Sequence, residues 1–261
     1  MSKLTDDLRV AHNQGTKVML IQNRLDKLFY EDRDGHDRYG LHASSVIAPE
    51  GEFCLRAMVL SLFFRQDQGK QLPVKTLRIF AQGNATHEKW YSLFRKAGID
   101  IAIERTLWLE QYDLSFTIDA IIDVFGELVI DVKTMNSFLY KKSTGHPKGE
   151  KQVNFYLWAL SKYTGKPHRR GAVLCEDKNT QEFRIVPVEY DKEKVRPYVE
   201  RLKEIQKCKH RFEEEGKLPK RKCDDPNSKL CQKCVMHSAC WNTGIGRRPL
   251  SEQEKRGPGK S

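Results

Sequence analysis

Residues 114–134 read "LSFTIDAIIDVFGELVIDVKT". Two runs rich in β-branched and aromatic residues flank a Phe125-Gly126-Glu127 turn signal, which predicts a β-hairpin. Each run carries an acid, Asp119 or Asp131, inside an apolar strand, where an unpaired buried charge is costly. Lys133 follows Asp131 by two positions, and residues two apart on a strand share a face. An ordinary surface ion pair would read the same way and contribute little. The hairpin adds a reason to look further, because it lets carboxylates on neighbouring strands meet. Two carboxylates in one pocket repel unless a cation lies between them.

Outward from the hairpin, "DIAIERTLWLE" supplies a preceding strand and completes a three-stranded meander. Apolar spacing predicts a helix through Cys54 to Phe64 and a second over about 74–97, where Phe80, His87, Tyr91 and Phe94 recur at helical intervals. "RQDQGKQLP" separates the two, with Gly69 and Pro73 as punctuation. A helix over 150–165 ends at Gly165 and Pro167. "RRGAVLCED" and "QEFRIVPVEY" give two more strands, and 191–215 suits a long charged helix. This order predicts an α/β core with a mixed sheet and helices packed against it. The expected organisation is an extension over 1–42, a core over 43–215, a cysteine-rich segment over 216–241 and a flexible tail over 242–261. Within the extension, "YEDRDGHDRYG" reads as an adaptable surface stretch.

The chemistry suggested by the hairpin is metal-dependent. His87, Asp119, Asp131 and Lys133 are candidates to converge, with the Val132 carbonyl as one more oxygen. Magnesium and manganese accept carboxylate and carbonyl oxygens, and manganese also takes an imidazole. A cation so held would activate water and polarise a phosphodiester. Lys plus Arg number 46 against 35 Asp plus Glu, a formal charge of +11, which favours nucleic acid as partner. "LYKKSTGHPKGEK" and residues 201–222 concentrate that charge. No apolar run approaches the roughly 18 residues of a membrane span, and the start lacks a secretory pattern, so a cytoplasmic protein is expected.

Five of seven cysteines lie in the last quarter: Cys208, Cys223, Cys231, Cys234 and Cys240. Cys231-x2-Cys234-x5-Cys240 suits zinc or an iron–sulfur cluster and needs a fourth ligand. Local spacing favours Cys223 and zinc, with Cys208 and His237 as alternatives. Cys175, in a strand, reads as a core residue.

His87, Asp119 in "FTIDAIIDVFG", Asp131-Val132-Lys133 and Gln152 to Tyr156 in "QVNFY" together resemble the PD-(D/E)XK nuclease superfamily, in particular its RecB-like branch. Phe116 and Thr117 stand where that branch often has a glycine. The resemblance implies a restriction-endonuclease-like core with His87, Asp119, Asp131 and the Val132 carbonyl on Mg2+ or Mn2+, and Lys133 in the attack. It also implies Gln152 and Tyr156 near DNA; helical spacing independently puts those two on one face. The chain is similar to the iron–sulfur nucleases of recombination complexes and CRISPR adaptation, a group with phage members. Those have one cysteine upstream and three near the C-terminus holding a 4Fe–4S cluster, which implies Cys54, Cys231, Cys234 and Cys240. The expected activity is an exonuclease on single-stranded DNA or DNA ends, in recombination, replication or repair and beside proteins of those processes. A structure-specific endonuclease, a non-catalytic DNA-binding module and a zinc-stapled adaptor are the alternatives.

Overall fold

The computed structural model describes residues 14–31, 40–65, 73–123 and 126–241. In chain order the first elements are α1 (Gln14–Glu31), β1 (Leu41–His42), α2 (Ala43–Val46), α3 (Leu55–Ser61) and α4 (Val74–Lys96). The meander follows as β2 (Asp100–Leu109), β3 (Leu114–Asp123) and β4 (Glu127–Met135). Then come α5 (Ser137–Lys142), α6 (Pro147–Thr164), β5 (Arg170–Asp177) and β6 (Phe183–Glu189). The chain ends its described part with α7 (Lys192–Glu215), α8 (Lys229–Gln232) and α9 (His237–Trp241). The stretch at 30–40, the break at 65–73 and the tail at 242–261 lie wholly or mostly outside the described residues.

Two units form, residues 1–36 with 69–85 and residues 37–68 with 86–261. In the first, Arg78 of α4 pairs with Asp26 of α1 and covers the Phe29 ring at 5.7 Å. The sequence predicts an extension over 1–42 with no helix in it, whereas α1 forms there. The second unit holds the mixed central sheet with helices against it, as expected.

In that sheet β4 pairs with β3 antiparallel and with β5 parallel, and β6 closes the far side antiparallel to β5. Every residue of β5 after Arg170 is buried, as befits a strand covered on both faces. Strand β3 is paired with β2 from Leu114 to Asp123 on one edge, except at Asp119. Its other edge is shared: β1 takes Leu114 and Ser115, whereas β4 takes Ala120 to Asp123. Residues 116–119 thus face a gap between two partners, and Asp119 stands at its rim.

The faces are built by period-2 alternation. Ile130, Val132, Ala172 and Leu174 pack against Trp90, Tyr91 and Phe94 of α4. Val129, Val173 and Cys175 turn to the other face with Val153, Phe155 and Leu157 of α6. Asp131 and Lys133 share the α6 side by the same alternation. Helix α6 starts at Pro147 rather than at Glu150, because proline at the first helical position lacks only an N–H that no helix would use. It ends on Gly165 at φ +71°, a conformation glycine adopts without strain. Among the described residues no helix is long and apolar enough to cross a membrane.

Candidate active site

Strict alternation fails where β3 delivers its acid. Ile118 belongs to the α6-side core, yet Ala120 and Ile122 belong to the α4-side core. Opposite, Glu104 takes φ +44° and drops out of the ladder between the Ile103–Ala120 and Arg105–Ile118 pairs. Where the next β3–β4 rung would fall, the Asp119 Oδ2 accepts the Val132 N–H at 2.9 Å. A side chain thus replaces a backbone acceptor, and the strands part at Asp119 and Asp131.

His87 comes from α4. Its Nε2 lies 3.2 Å from the Val132 carbonyl oxygen and 3.8 Å from Asp119 Oδ2. A carbonyl only accepts, so this bond requires the proton on Nε2. Nδ1 is then free to accept from the Tyr91 hydroxyl at 3.5 Å. Two lone-pair donors that a cation could take, Nε2 and the carbonyl, are bridged by that proton. Burial, followed by the charge of Asp119, raises the Tyr91 hydroxyl and keeps it protonated.

Asp131 is fully buried. Its Oδ1 accepts from Lys133 Nζ at 2.7 Å, whereas Oδ2 is buried with no hydrogen-bond partner. Burial pushes this carboxyl up to about 7; Lys133 pulls it down and the charge of Asp119 raises it further. Burial opposes the Lys133 charge too, but Asp131 and Asp119 outweigh it and raise the amine above the ordinary lysine value. The partners of this ion pair therefore differ, since the pairing should favour both charges. The ammonium is the firmer charge, because it answers two carboxylates and its side chain stays 22% exposed. Asp131 is the group under tension, with one oxygen lacking any donor.

These residues suit a divalent cation. A buried carboxylate oxygen without a donor, a second carboxylate, a carbonyl and an imidazole make an oxygen-rich donor set with a charge deficit. Among the described residues, no three His, Cys, Asp or Glu side chains stand as a closed metal-ligand group. Asp123 is exposed and accepts the Gly126 N–H, a turn role away from the site.

Helix α6 reaches the same place. A Cβ on Gly149 would lie 3.0 Å from Asp131 Oδ2, 2.9 Å from Val173 Cγ1 and 3.2 Å from His146 Nδ1. His146, which the sequence reading did not single out, caps this helix by accepting the Gly149 N–H at 2.9 Å. Burial and then the charge of Lys133 lower its pKa. The signal for it was His-Pro before a helical run, a capping residue ahead of a first-turn proline. Further along, Gln152 Nε2 donates to the Tyr156 hydroxyl at 2.7 Å. Tyr156 is buried against Phe116, ring centres 6.1 Å apart, so its ring is core and its hydroxyl braces Gln152. Cys175 is core as expected, and pairs in register with Lys133.

Cys54, Cys234 and Cys240 rim one small apolar cluster formed by Ala57, Leu60, Met236 and Ala239. Burial pushes the Cys234 thiol up to about 12, with neighbouring Cys54, Cys231 and Cys240 contributing. Cys231 receives the Trp241 indole N–H at 2.9 Å and shares a hydrogen bond with Cys223. Arg56 fastens this segment by donating to the Pro219 carbonyl at 2.7 Å. Cys208 is buried in the main core, and the His237 ring binds the Pro226 carbonyl at 3.1 Å. Neither joins the thiol group.

The basic run at 201–222 is largely committed elsewhere. Arg201 donates to the carbonyls of Val46 and Ala48, Lys209 pairs with Asp113 at 2.7 Å, and Lys222 holds the carbonyls of Glu50 and Phe53. Arg201 and Lys222 tie the long helix and the cysteine segment to residues 46–53, and Lys209 ties the helix to Asp113 ahead of β3.

Against known proteins, the family profile of the PD-(D/E)XK nuclease superfamily matches residues 49–241. No curated protein matches the chain. Among solved structures, the crystal structure of SSO0001 is similar at 17% identity and TM-score 0.45, covering 71% of this chain and 86% of that one. LHK-Exo in complex with dAMP is similar at 11% identity and TM-score 0.45, covering 64% and 86%. The alkaline exonuclease LHK-Exo from Laribacter hongkongensis is similar at 13% identity and TM-score 0.43, covering 73% and 97%.

Proposed function

Because the chain belongs to the PD-(D/E)XK nuclease superfamily, we propose that it hydrolyses DNA phosphodiester bonds with Mg2+ or Mn2+, as an exonuclease on single strands or DNA ends. Recombination, replication or repair is the setting. The observation that carries this reading is the buried Asp131 Oδ2, which has no donor although Asp119 and Lys133 stand near it. Asp119, Asp131, His87 and the Val132 carbonyl would hold the cation. When bound it would acidify water, polarise the phosphodiester and offset charge developing at phosphorus.

Hydrolysis joins the oxygen of water to phosphorus, breaks one P–O ester bond and gives the departing oxygen a proton. Lys133, raised by two carboxylates, is an ammonium at neutral pH. It therefore serves as a hydrogen-bond donor to the attacking water or a phosphoryl oxygen rather than as a base. Gln152 contacts the DNA strand, and Tyr156 holds its amide in place.

The thiols carry a second assignment, a 4Fe–4S cluster on Cys54, Cys231, Cys234 and Cys240 that fastens residues around Cys54 to the C-terminal segment. The indole N–H on Cys231 suits a thiolate ligand. The Cys223–Cys231 hydrogen bond favours an alternative, zinc on Cys223, Cys231, Cys234 and Cys240. Iron, sulfide and zinc analysis after anaerobic purification separates them. Iron and sulfide lost in Cys54→Ser but kept in Cys223→Ser support the cluster; zinc lost only in Cys223→Ser replaces it.

Cleavage is tested on end-labelled linear single- and double-stranded DNA and on circular single strands, with magnesium or manganese. Linear strands should shorten from an end while circles persist, and Asp119→Ala and Lys133→Ala should each lose about 100-fold or more of the rate. Cut circles would make the enzyme an endonuclease. Wild-type rates in both variants would remove the hydrolytic reading.

A further inference from the structure

We propose that Phe138 and Leu139 on α5 form a stacking platform for unpaired bases of the strand whose backbone enters the Asp119–Asp131 site. The inference rests on the nuclease reading and deepens it, because it names single-stranded DNA as the form engaged beside the reacting phosphate.

Helix α5 is held at both ends. Ser137 donates to Asp177 Oδ1 at 2.7 Å and accepts from Asn179 at 2.9 Å, while Asn136 caps the helix by accepting the Leu139 N–H at 2.8 Å. At the other end Arg184 donates to the Ser143 carbonyl at 2.7 Å and to the Tyr140 carbonyl, its guanidinium 3.7 Å from the Tyr140 ring centre. Tyr140 is buried beneath these ties. Phe138 and Leu139, by contrast, remain 70% and 48% exposed.

Single exposed apolar residues are common and need no explanation. Three features separate this pair from that background. First, it is apolar surface on a helix held at both ends, so stacking would cost little ordering entropy. Second, the chain on either side of it is cationic: between Asp131 and Glu150 lie four lysines and no acid. The Lys142 ammonium lies 5.6 Å from the Phe138 ring centre, and the charge of Lys148 reaches Asp131. Cations beside an aromatic face suit an anionic backbone carrying π-faced bases. Third, Phe138 follows Lys133 by five residues, at most about 17 Å of extended chain. That is at most about five nucleotides at the roughly 3.4 Å rise of a stacked strand. In the 201–222 run Lys209 and Lys222 are tied to Asp113 and to the Glu50 and Phe53 carbonyls, whereas among the described residues Lys141 and Lys148 make no hydrogen bond or close ion pair.

The test compares binding of an oligo-dT strand with that of an abasic strand of equal length, by fluorescence anisotropy without added divalent cation. Phe138→Ala should weaken oligo-dT binding about tenfold and leave abasic binding unchanged. Phe138→Trp should retain it, which excludes a folding defect, and Lys141→Ala with Lys142→Ala should weaken both strands alike. Equal losses on both strands in Phe138→Ala, or no loss on oligo-dT, would overturn the proposal. So would a wild-type dimer that Phe138→Ala converts to a monomer, because the pair would then serve a second copy of the chain. If the wild type never cleaves yet distinguishes the strands through Phe138, the hydrolytic reading fails and the platform stands. If it cleaves while Phe138→Ala binds both strands like wild type, the platform alone fails.

Discussion

Asp131→Asn should cut DNA cleavage at least about 10³-fold while raising the melting temperature of the metal-free protein near neutral pH. The two effects have one cause. The carboxylate charge is buried, one of its oxygens has no donor, and the charge of Asp119 opposes it. Asparagine keeps the shape and removes the charge, while Asp119 still answers the Lys133 ammonium. The sign with pH follows from linkage. The carboxyl has a value of 3.8 when free and about 7 in the fold. At pH below 3.8 both states are protonated and asparagine confers little. Between those values the unfolded chain releases the proton while the fold retains it, so wild-type stability falls as pH rises. Above about 7 the loss is complete and the advantage of the variant is greatest. Thermal melts from acid to neutral pH, beside cleavage assays, check this. An advantage that does not change with pH would contradict the assignment of strain to Asp131. Added Mg2+ or Mn2+ should stabilise wild type more as pH rises, since cation and proton compete for one carboxylate. The variant should lack that response.

Gly171→Val should destabilise the fold by about 3 kcal/mol or more, lowering the melting temperature by roughly 6–12 °C. Gly171 lies in β5 directly under α6. Its Cβ would stand 2.4 Å from Val153 Cγ1 and 2.9 Å from the Val129 carbonyl oxygen. The second neighbour is backbone of the strand that carries Asp131, so it cannot rotate away. Relief would require lifting α6 from the sheet, and with it Gly149, Gln152 and Tyr156. Cleavage should therefore fall along with stability, even though Gly171 touches no reacting group. Gly83 is the contrast: a Cβ there meets nothing within 4 Å. A melting temperature unchanged by Gly171→Val would show that α6 does not depend on this close approach.

Much of the framework was legible because its signals are local. The meander at 100–135, the helix expected over about 74–97 and the strand pair after Pro167 follow from periods of 2 and 3.6 residues, which record the side of each element that is buried. The expected start of α6 at residue 150 falls three residues late, because Pro147 suits the first helical position. The helix at Gln14–Glu31 gives a weak local signal, because polar residues interrupt its apolar spacing. Asp119 and Asp131 were identifiable as acids in apolar strands, a conflict between residue type and burial that sequence displays directly.

What the sequence by itself determined is strands β2 to β6 with helices α4, α6 and α7, which face of each is apolar, and which charged residues sit where charge is costly. Only the tertiary structure decided how those residues meet. The β3 edge divided between β1 and β4 opens the gap at Asp119, and no local pattern encodes a partner's absence. His87 facing the Val132 carbonyl, Asp131 with one oxygen unanswered, and Cys54 beside Cys234 and Cys240 all join segments far apart in the chain. The basic run at 201–222 shows the same limit in reverse, since its charges were plain but their protein partners were not. The physical reason is that side-chain periodicity is set within a few residues. Hydrogen-bond satisfaction, desolvation and proton state are set by whichever atoms long-range packing brings within a few ångströms.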